Sequence, residues 1–154
     1  MKREKFLWPL TQDHQGALVA ARNIRNRLAA LDENESEVLL RLNKEVVDFF
    51  ELDLREHFRG EEDEVMKAFE VHKGSGDADL LKIRKEHKTM EFLAKASSKN
   101  ELQLFADTLT AHIRFEEDVF FPRVEMALTD EEKNILAERL LAYKPATSHC
   151  PLPL

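Results

Sequence analysis

The sequence predicts an all-α protein: an up-down-up-down four-helix bundle with a short fifth helix after it. Three observations predict this. Apolar residues recur at three- and four-residue spacing in one long segment after another, the period of an amphipathic helix. Only 4 Gly and 5 Pro interrupt 154 residues that are 43% hydrophobic and 34% charged, too few breakers for the many turns of a sheet protein. The segments are joined by short polar or glycine-bearing stretches, the connections that antiparallel neighbours need. A chain of this length buries a core as one domain. Residues 1–144 are assigned to the bundle, and residues 145–154, carrying three prolines with Pro145 at their head, to a flexible tail.

Several function classes are disfavoured at this level. No apolar run approaches the roughly 20 residues that cross a bilayer. The basic start Met1-Lys2-Arg3-Glu4-Lys5 is not followed by a signal core. A net charge of -7 argues against nucleic acid or an anionic membrane surface as partner. The lone Cys150 excludes an internal disulfide and a cysteine-built zinc site, and a cytoplasmic location is expected.

The first helix is expected from about Thr11, as N-cap after Pro9, to Leu31, with the face His14, Ala17, Leu18, Ala21, Ile24, Leu28. A second begins near Asn34 or Ser36. Its face is Leu39, Leu42, Val46, Phe49/Phe50, Leu54, His57, Glu61, Val65 and Ala68/Phe69. Gly60 lies inside it, at a cost of about 1 kcal/mol against Ala, and admits the close approach of a neighbouring helix. Lys73-Gly74-Ser75-Gly76-Asp77 marks a loop, preceded by His72 in a helix C-terminal position that suits the dipole. The third helix, about Ala78 to Ala96, shows Leu80, Ile83, His87, Met90 and Ala94. Ser98 and Glu101 form a capping box for the fourth, whose face reads Leu102, Phe105, Leu109, His112, Glu116, Val119 and Met126. Pro122 is expected to kink it or disturb its last turns. Thr129 and Glu132 form another capping box, for a short helix through Ile135, Leu136, Leu140 and Leu141 to Tyr143.

His57-Phe58-Arg59-Gly60-Glu61 and His112-Ile113-Arg114-Phe115-Glu116 repeat one arrangement, a histidine and a glutamate four residues apart. On a helix that spacing stacks the two side chains on one face. Each histidine singly has a plain structural reading, as a capping or hydrogen-bonded core residue. Jointly, four successive helices each put one histidine on the core face, and a carboxylate buried without a partner costs several kcal/mol. The candidate metal ligands are His14, His57, Glu61, His87, His112 and Glu116. Nitrogen and oxygen donors without thiolates suit iron, manganese, zinc or copper. Two glutamates projecting inward can bridge two metals, leaving two histidines for each and open positions that structural zinc sites lack.

The pattern resembles the hemerythrin-like HHE cation-binding family: a lone histidine on helix one, His-x-x-x-Glu on helix two, a histidine on helix three and His-x-x-x-Glu on helix four. His57-Phe58-Arg59, His112-Ile113-Arg114-Phe115-Glu116-Glu117 and Phe120-Phe121-Pro122 are similar to the family's wording. The resemblance spans about residues 10 to 143. It implies a non-haem di-iron centre, two iron ions bridged by Glu61 and Glu116, with other divalent metals as alternatives.

Two departures bear on function. Oxygen-carrying hemerythrins resemble one another in a His-x-x-x-His on helix three, whereas here Ile83 stands four before His87 and Glu91 four after. A ligand is missing, or Glu91 or an exogenous group replaces it. The carriers also resemble one another in using the position taken here by Glu117. Ideal helix geometry favours Glu116, about 40° from His112 around the axis against about 140° for Glu117. Ferritin-like di-iron bundles use four carboxylates and two histidines. The histidine-rich set here carries less negative charge and retains ferrous iron better. The expected role is therefore binding or sensing of oxygen, nitric oxide or iron. A di-iron enzyme acting on peroxide or nitrogen oxides is the alternative, along with a structural bundle of buried His-Glu pairs.

Overall fold

Pro9 has no N–H to donate and its φ is already helical, so it fits the first turn of a helix. The first helix, α1 (Trp8–Ala29), accordingly starts ahead of Thr11, behind a 3₁₀ turn at Lys5–Leu7. Thr11 is not the N-cap the sequence suggested. Its hydroxyl donates instead to Glu117, at 2.8 Å. The computed structural model describes residues 2–32 and 34–143, and among these there are five helices and no strand. The proposed tail, with His149 and Cys150, lies outside the described residues.

The second helix, α2 (36–73), and the fourth, α4 (99–127), are not uniformly α-helical. In α2, π-helical turns at Phe50–Leu54 and Glu61–Met66 separate the α-helical stretches Ser36–Phe49, Arg55–Gly60 and Lys67–Lys73. In α4, one at Glu116–Phe120 separates Lys99–Phe115 from Phe121–Ala127. The third helix is α3 (Ala78–Ala94) and the fifth is α5 (Asp130–Leu140). Pro122 lies within α4, which continues past it to Ala127. It stands at the head of an α-helical stretch that follows the π turn, where the α ladder restarts and a missing N–H is tolerated.

The π turns correct the sequence reading of the buried faces. On an α-helix, residues at successive four-residue steps drift around the axis by about 40° each. Yet His57, Glu61, Val65 and Phe69 are all buried, as are His112, Glu116, Phe120 and Val124. The wider i→i+5 turn offsets the drift and keeps a seam of four-residue spacing on the core. So Val119 (43% exposed) and Met126 (86%) are displaced from the face predicted for α4. In α5 the buried residues are Leu136 and Leu140, while Ile135 and Leu141 are exposed.

Caps fix where the helices begin. Thr129 and Glu132 complete the predicted reciprocal capping box. Ser98 accepts the Glu101 N–H, but its own hydroxyl donates to the Glu101 carboxylate, so only half of that box forms. Asp77, read from the sequence only as the end of a loop, caps α3 by accepting the Asp79 N–H at 3.0 Å, and Arg123 of α4 donates to both its oxygens. The guanidinium of Arg123 holds the Asp77 carboxyl below the usual range. His72 lies in the last turn of α2, as expected, and contacts Glu132 of α5. At Gly60 the close neighbour is the chain after α5: a Cβ there would stand 3.1 Å from the Tyr143 Cβ.

α1 packs along the first half of α4, and α3 packs against that half and against Ser36–Phe49. The ends Lys67–Lys73 and Phe121–Ala127 meet each other. Two apolar clusters result. One holds Ala17 to Leu28 of α1, Leu42 to Phe58 of α2, Met90 to Ala94 of α3 and Leu102 to Ile113 of α4. The other holds Phe6 to Leu10, Val65 to Phe69, Leu80 and Ile83, Phe120 to Leu128, and Leu136 and Leu140. The boundary between the clusters falls on His14 in α1, on Glu61 in α2, on His87 in α3 and on Glu116 in α4. No helix is long and apolar enough to cross a membrane, among the described residues.

Candidate metal centre

At that boundary His14, His57, Glu61, His87, His112 and Glu116 come together, each at most 5% exposed. The sequence named all six. One turn of α-helix carries His57 to Glu61 and His112 to Glu116, and in each case the π turn begins at the glutamate. His57 Nε2 lies 2.5 Å from Glu61 and His112 Nε2 lies 2.9 Å from Glu116. His14 Nε2 stands between the carboxylates, 3.3 Å from Glu61 and 3.4 Å from Glu116. His87 Nε2 lies 3.0 Å from Glu61 and 3.2 Å from His112 Nε2.

The six residues form two overlapping sets. His14, His57, Glu61 and Glu116 can bring one donor atom each to within 4.8 Å of one another, and so can Glu61, His87, His112 and Glu116. Both glutamates belong to both sets. Several of the closest contacts lack hydrogen-bond directions: His57 Nε2, Glu61 Oε2 and both Glu116 oxygens are buried without a hydrogen bond. Buried polar atoms left this way point to an ion or another bound group. Two imidazoles and two carboxylates per set are the nitrogen and oxygen donors of a first-row divalent metal, so the residues fit such an ion.

Around the six lies an outer layer of acidic side chains. His57 Nδ1 is 3.0 Å from Asp13, His112 Nδ1 is 2.9 Å from Glu86, and His14 Nδ1 is 2.7 Å from Glu117. A carboxylate only accepts, so each Nδ1 carries the proton. Glu62 stands 3.5 Å from His87 Nδ1, without a hydrogen bond. Glu117 is itself held by Thr11 and Arg3, and Arg3 also donates to Glu125 at 2.6 Å. None of the four was assigned from the sequence. A signal was present, because each immediately adjoins a ligand candidate in the chain: Asp13-His14, Glu61-Glu62, Glu86-His87 and Glu116-Glu117.

The sequence matches the hemerythrin HHE cation-binding domain over residues 7–124, more than half the chain. The chain belongs to that family. No curated protein and no solved structure gives a significant match. The HHE domain ties the chain to metal-cation binding, and the buried His/Glu group is where a cation can be held. Two questions left open by the sequence meet an observation here. Glu116 is fully buried and shared by both sets, whereas Glu117 turns to the far side of His14. Glu91 is directed to Arg55, 3.2 Å away, and its side chain is 44% exposed, outside both buried donor sets.

Charge shapes this layer. Burial disfavours a charged imidazole at each position, but the carboxylates outweigh it. Glu61 and Asp13 raise His57 to about 9, and Glu116 and Glu86 raise His112 to about 10. Glu116, Glu117 and Glu61 hold His14 well above its usual value. Burial opposes ionisation of Glu61, and His57, His14 and His87 more than offset this, so its carboxyl lies well below the usual range. A histidine with a raised pKa stabilises the folded state fully below about 6.5, and that stability is lost as pH rises through the folded value. Chelator-treated protein is thus expected to lose thermal stability between pH 6.5 and about 9 to 10. Metal affinity is expected to rise over the same window, since the ion competes with protons for the imidazoles. Melting curves and metal titrations from pH 6 to 10 check both; a flat melting profile would show neutral imidazoles without metal.

Proposed function

We propose that this domain binds a pair of iron ions, one between His14 and His57 and the other between His87 and His112, with Glu61 and Glu116 shared by both. The observation that carries the reading is the convergence of four imidazole Nε2 atoms on two buried carboxylates, of which Glu61 Oε2 and both Glu116 oxygens lack hydrogen bonds. The four long helices are read as an up-down-up-down bundle. In support, α1 and α3 run from the second apolar cluster to the first, and α2 and α4 run the other way.

The role proposed is binding or sensing of a small diatomic molecule, oxygen or nitric oxide, or of iron itself. Bound iron supplies Lewis acidity, redox capacity and coordination positions for such a ligand. This chain's residues supply four neutral nitrogen donors, two charge-balancing carboxylates and an apolar wall on either side that excludes water. The two-carboxylate inner set favours retention of the ferrous state over turnover. The acidic net charge and single cysteine support a cytoplasmic protein without a nucleic-acid or membrane partner.

Anaerobic ferrous loading of the stripped protein, followed by desalting and metal analysis, is the test. Two irons per chain are expected, with an optical change on adding nitric oxide that reverses on purging. Steady-state consumption of peroxide by the loaded protein would favour an enzyme instead. Failure to retain metal, with an unchanged melting temperature, would leave a structural bundle.

A further inference from the structure

We propose that Asp13, Glu86 and Glu117 are positioning residues, each orienting the histidine of a neighbouring helix, and that Glu62, facing His87 without a hydrogen bond, completes their ring, so that the two halves of the centre are tuned separately. The proposal rests on reading the centre as a metal pair. The ring follows from which helix each partner occupies. Asp13 precedes His14 on α1 and holds His57 of α2. Glu62 follows Glu61 on α2 and faces His87 of α3. Glu86 precedes His87 on α3 and holds His112 of α4. Glu117 follows Glu116 on α4 and holds His14 of α1, which closes the circuit.

In no case does an acidic residue serve the histidine of its own helix. Each link therefore sets the orientation of one helix against the next as well as that of one ring. An imidazole that donates Nδ1–H to a carboxylate is fixed in the tautomer with a bare Nε2 facing inward, and its basicity rises. Four carboxylates on the outside also add the negative charge that the histidine-rich interior lacks. Their side chains are 21% to 35% exposed, against at most 5% for the imidazoles they face, so they seal the rim of the site.

Grouping the links by half gives an outcome that mere acidity near the site does not. Asp13 and Glu117 act on His57 and His14, one half; Glu62 and Glu86 act on His87 and His112, the other. Outer partners of metal-bound histidines typically change affinity by about 10- to 100-fold. In anaerobic Fe(II) titrations, Asp13→Ala, Glu86→Ala and Glu117→Ala are each expected to weaken one of two ions by that factor. Glu62→Ala is expected to do least, since its contact is longest. The double variant Asp13→Ala/Glu117→Ala should keep one tight ion, while Asp13→Ala/Glu86→Ala should weaken both. Asp13→Asn retains an acceptor and should recover most of the loss, and Glu91→Ala, paired to Arg55, should bind as the parent does.

A second readout separates positioning from folding. In Zn(II)-loaded protein, the nitrogen-15 spectrum should show His57 losing its fixed Nδ1–H tautomer in Asp13→Ala while His112 keeps its own. A parent that retains no Fe(II) overturns the metal-pair reading. A parent with two irons, beside ring variants of unchanged affinity and tautomer, overturns the ring alone. Equal weakening of both ions by every single variant overturns the separation into halves.

Discussion

Glu61→Ala is expected to abolish tight binding of both metal ions. Glu61 belongs to both donor sets and approaches three imidazoles, His57 at 2.5 Å, His87 at 3.0 Å and His14 at 3.3 Å. Its loss removes a shared donor and half of the inner negative charge together. The expected fall in affinity is more than about 100-fold for each ion, beyond the range seen for outer partners. Without metal the variant takes the shared inner carboxylate from three buried histidines, and removing one side of a buried pair costs about 3–5 kcal/mol. Glu61→Gln keeps the shape and isolates the charge. Glu116→Ala should lower stability less, since Glu116 approaches two imidazoles rather than three. Metal content after desalting decides the first point and thermal melting the second. Two tightly held irons per chain in Glu61→Ala would refute the assignment.

Phe58→Ala is expected to cost about 3–5 kcal/mol and to damage one half of the centre selectively. Phe58 is buried between the motif residues and the first apolar cluster. Its ring stacks on His87, centroids 3.9 Å apart and 12° from parallel, and meets His112 edge-on at 5.7 Å. Truncation opens a cavity beside those imidazoles and lets water reach them. Melting temperature should drop sharply, and iron retained after desalting should fall from two toward one per chain. His14 stacks instead on Phe121, centroids 5.5 Å apart, and this other half is expected to hold its ion. Equal loss from both halves would show that Phe58 supports the layer as a whole.

What could be read from the sequence was whatever depends on the ideal α-helical period. His57 and Glu61, like His112 and Glu116, are one turn apart within ordinary α-helix, so their pairing was legible, and with it the buried layer. The same ideal period selected Glu116 over Glu117, and the burial of Glu116 agrees. Beyond each glutamate the period changes. Nothing in Glu61-Glu62-Asp63-Glu64 or Glu116-Glu117-Asp118 announces a π turn, because the cause is the packing of a four-spaced seam across several helices. Val119 and Met126 were misassigned for that reason. Asp13, Glu62 and Glu86 were passed over for another, and Glu117 was weighed only as an alternative ligand to Glu116, never as a partner of His14. A half-exposed acidic residue on a charged helix looks like solvated surface until the neighbouring helix is placed against it. Thr11 shows the same limit, since its hydroxyl serves a helix distant in sequence rather than its own start.

The π turns also govern how this chain tolerates changes of length. A π turn amounts to one residue more than an α-helix needs for the same span. Deleting Asp118, for instance, can be absorbed locally by relaxing Glu116–Phe120 to α geometry, with every later residue of α4 kept helical. The seam survives such a deletion as well: seven α-helical residues turn the chain through about 700°, which leaves Phe120 and Val124 on the core face in line with His112. The domain is thus expected to be forgiving of single-residue gaps just after either glutamate, and unforgiving of them in the α-helical turn that leads from each histidine to its glutamate. The residue count from each histidine to its glutamate is a constraint in its own right, separate from the identity of any side chain along the way.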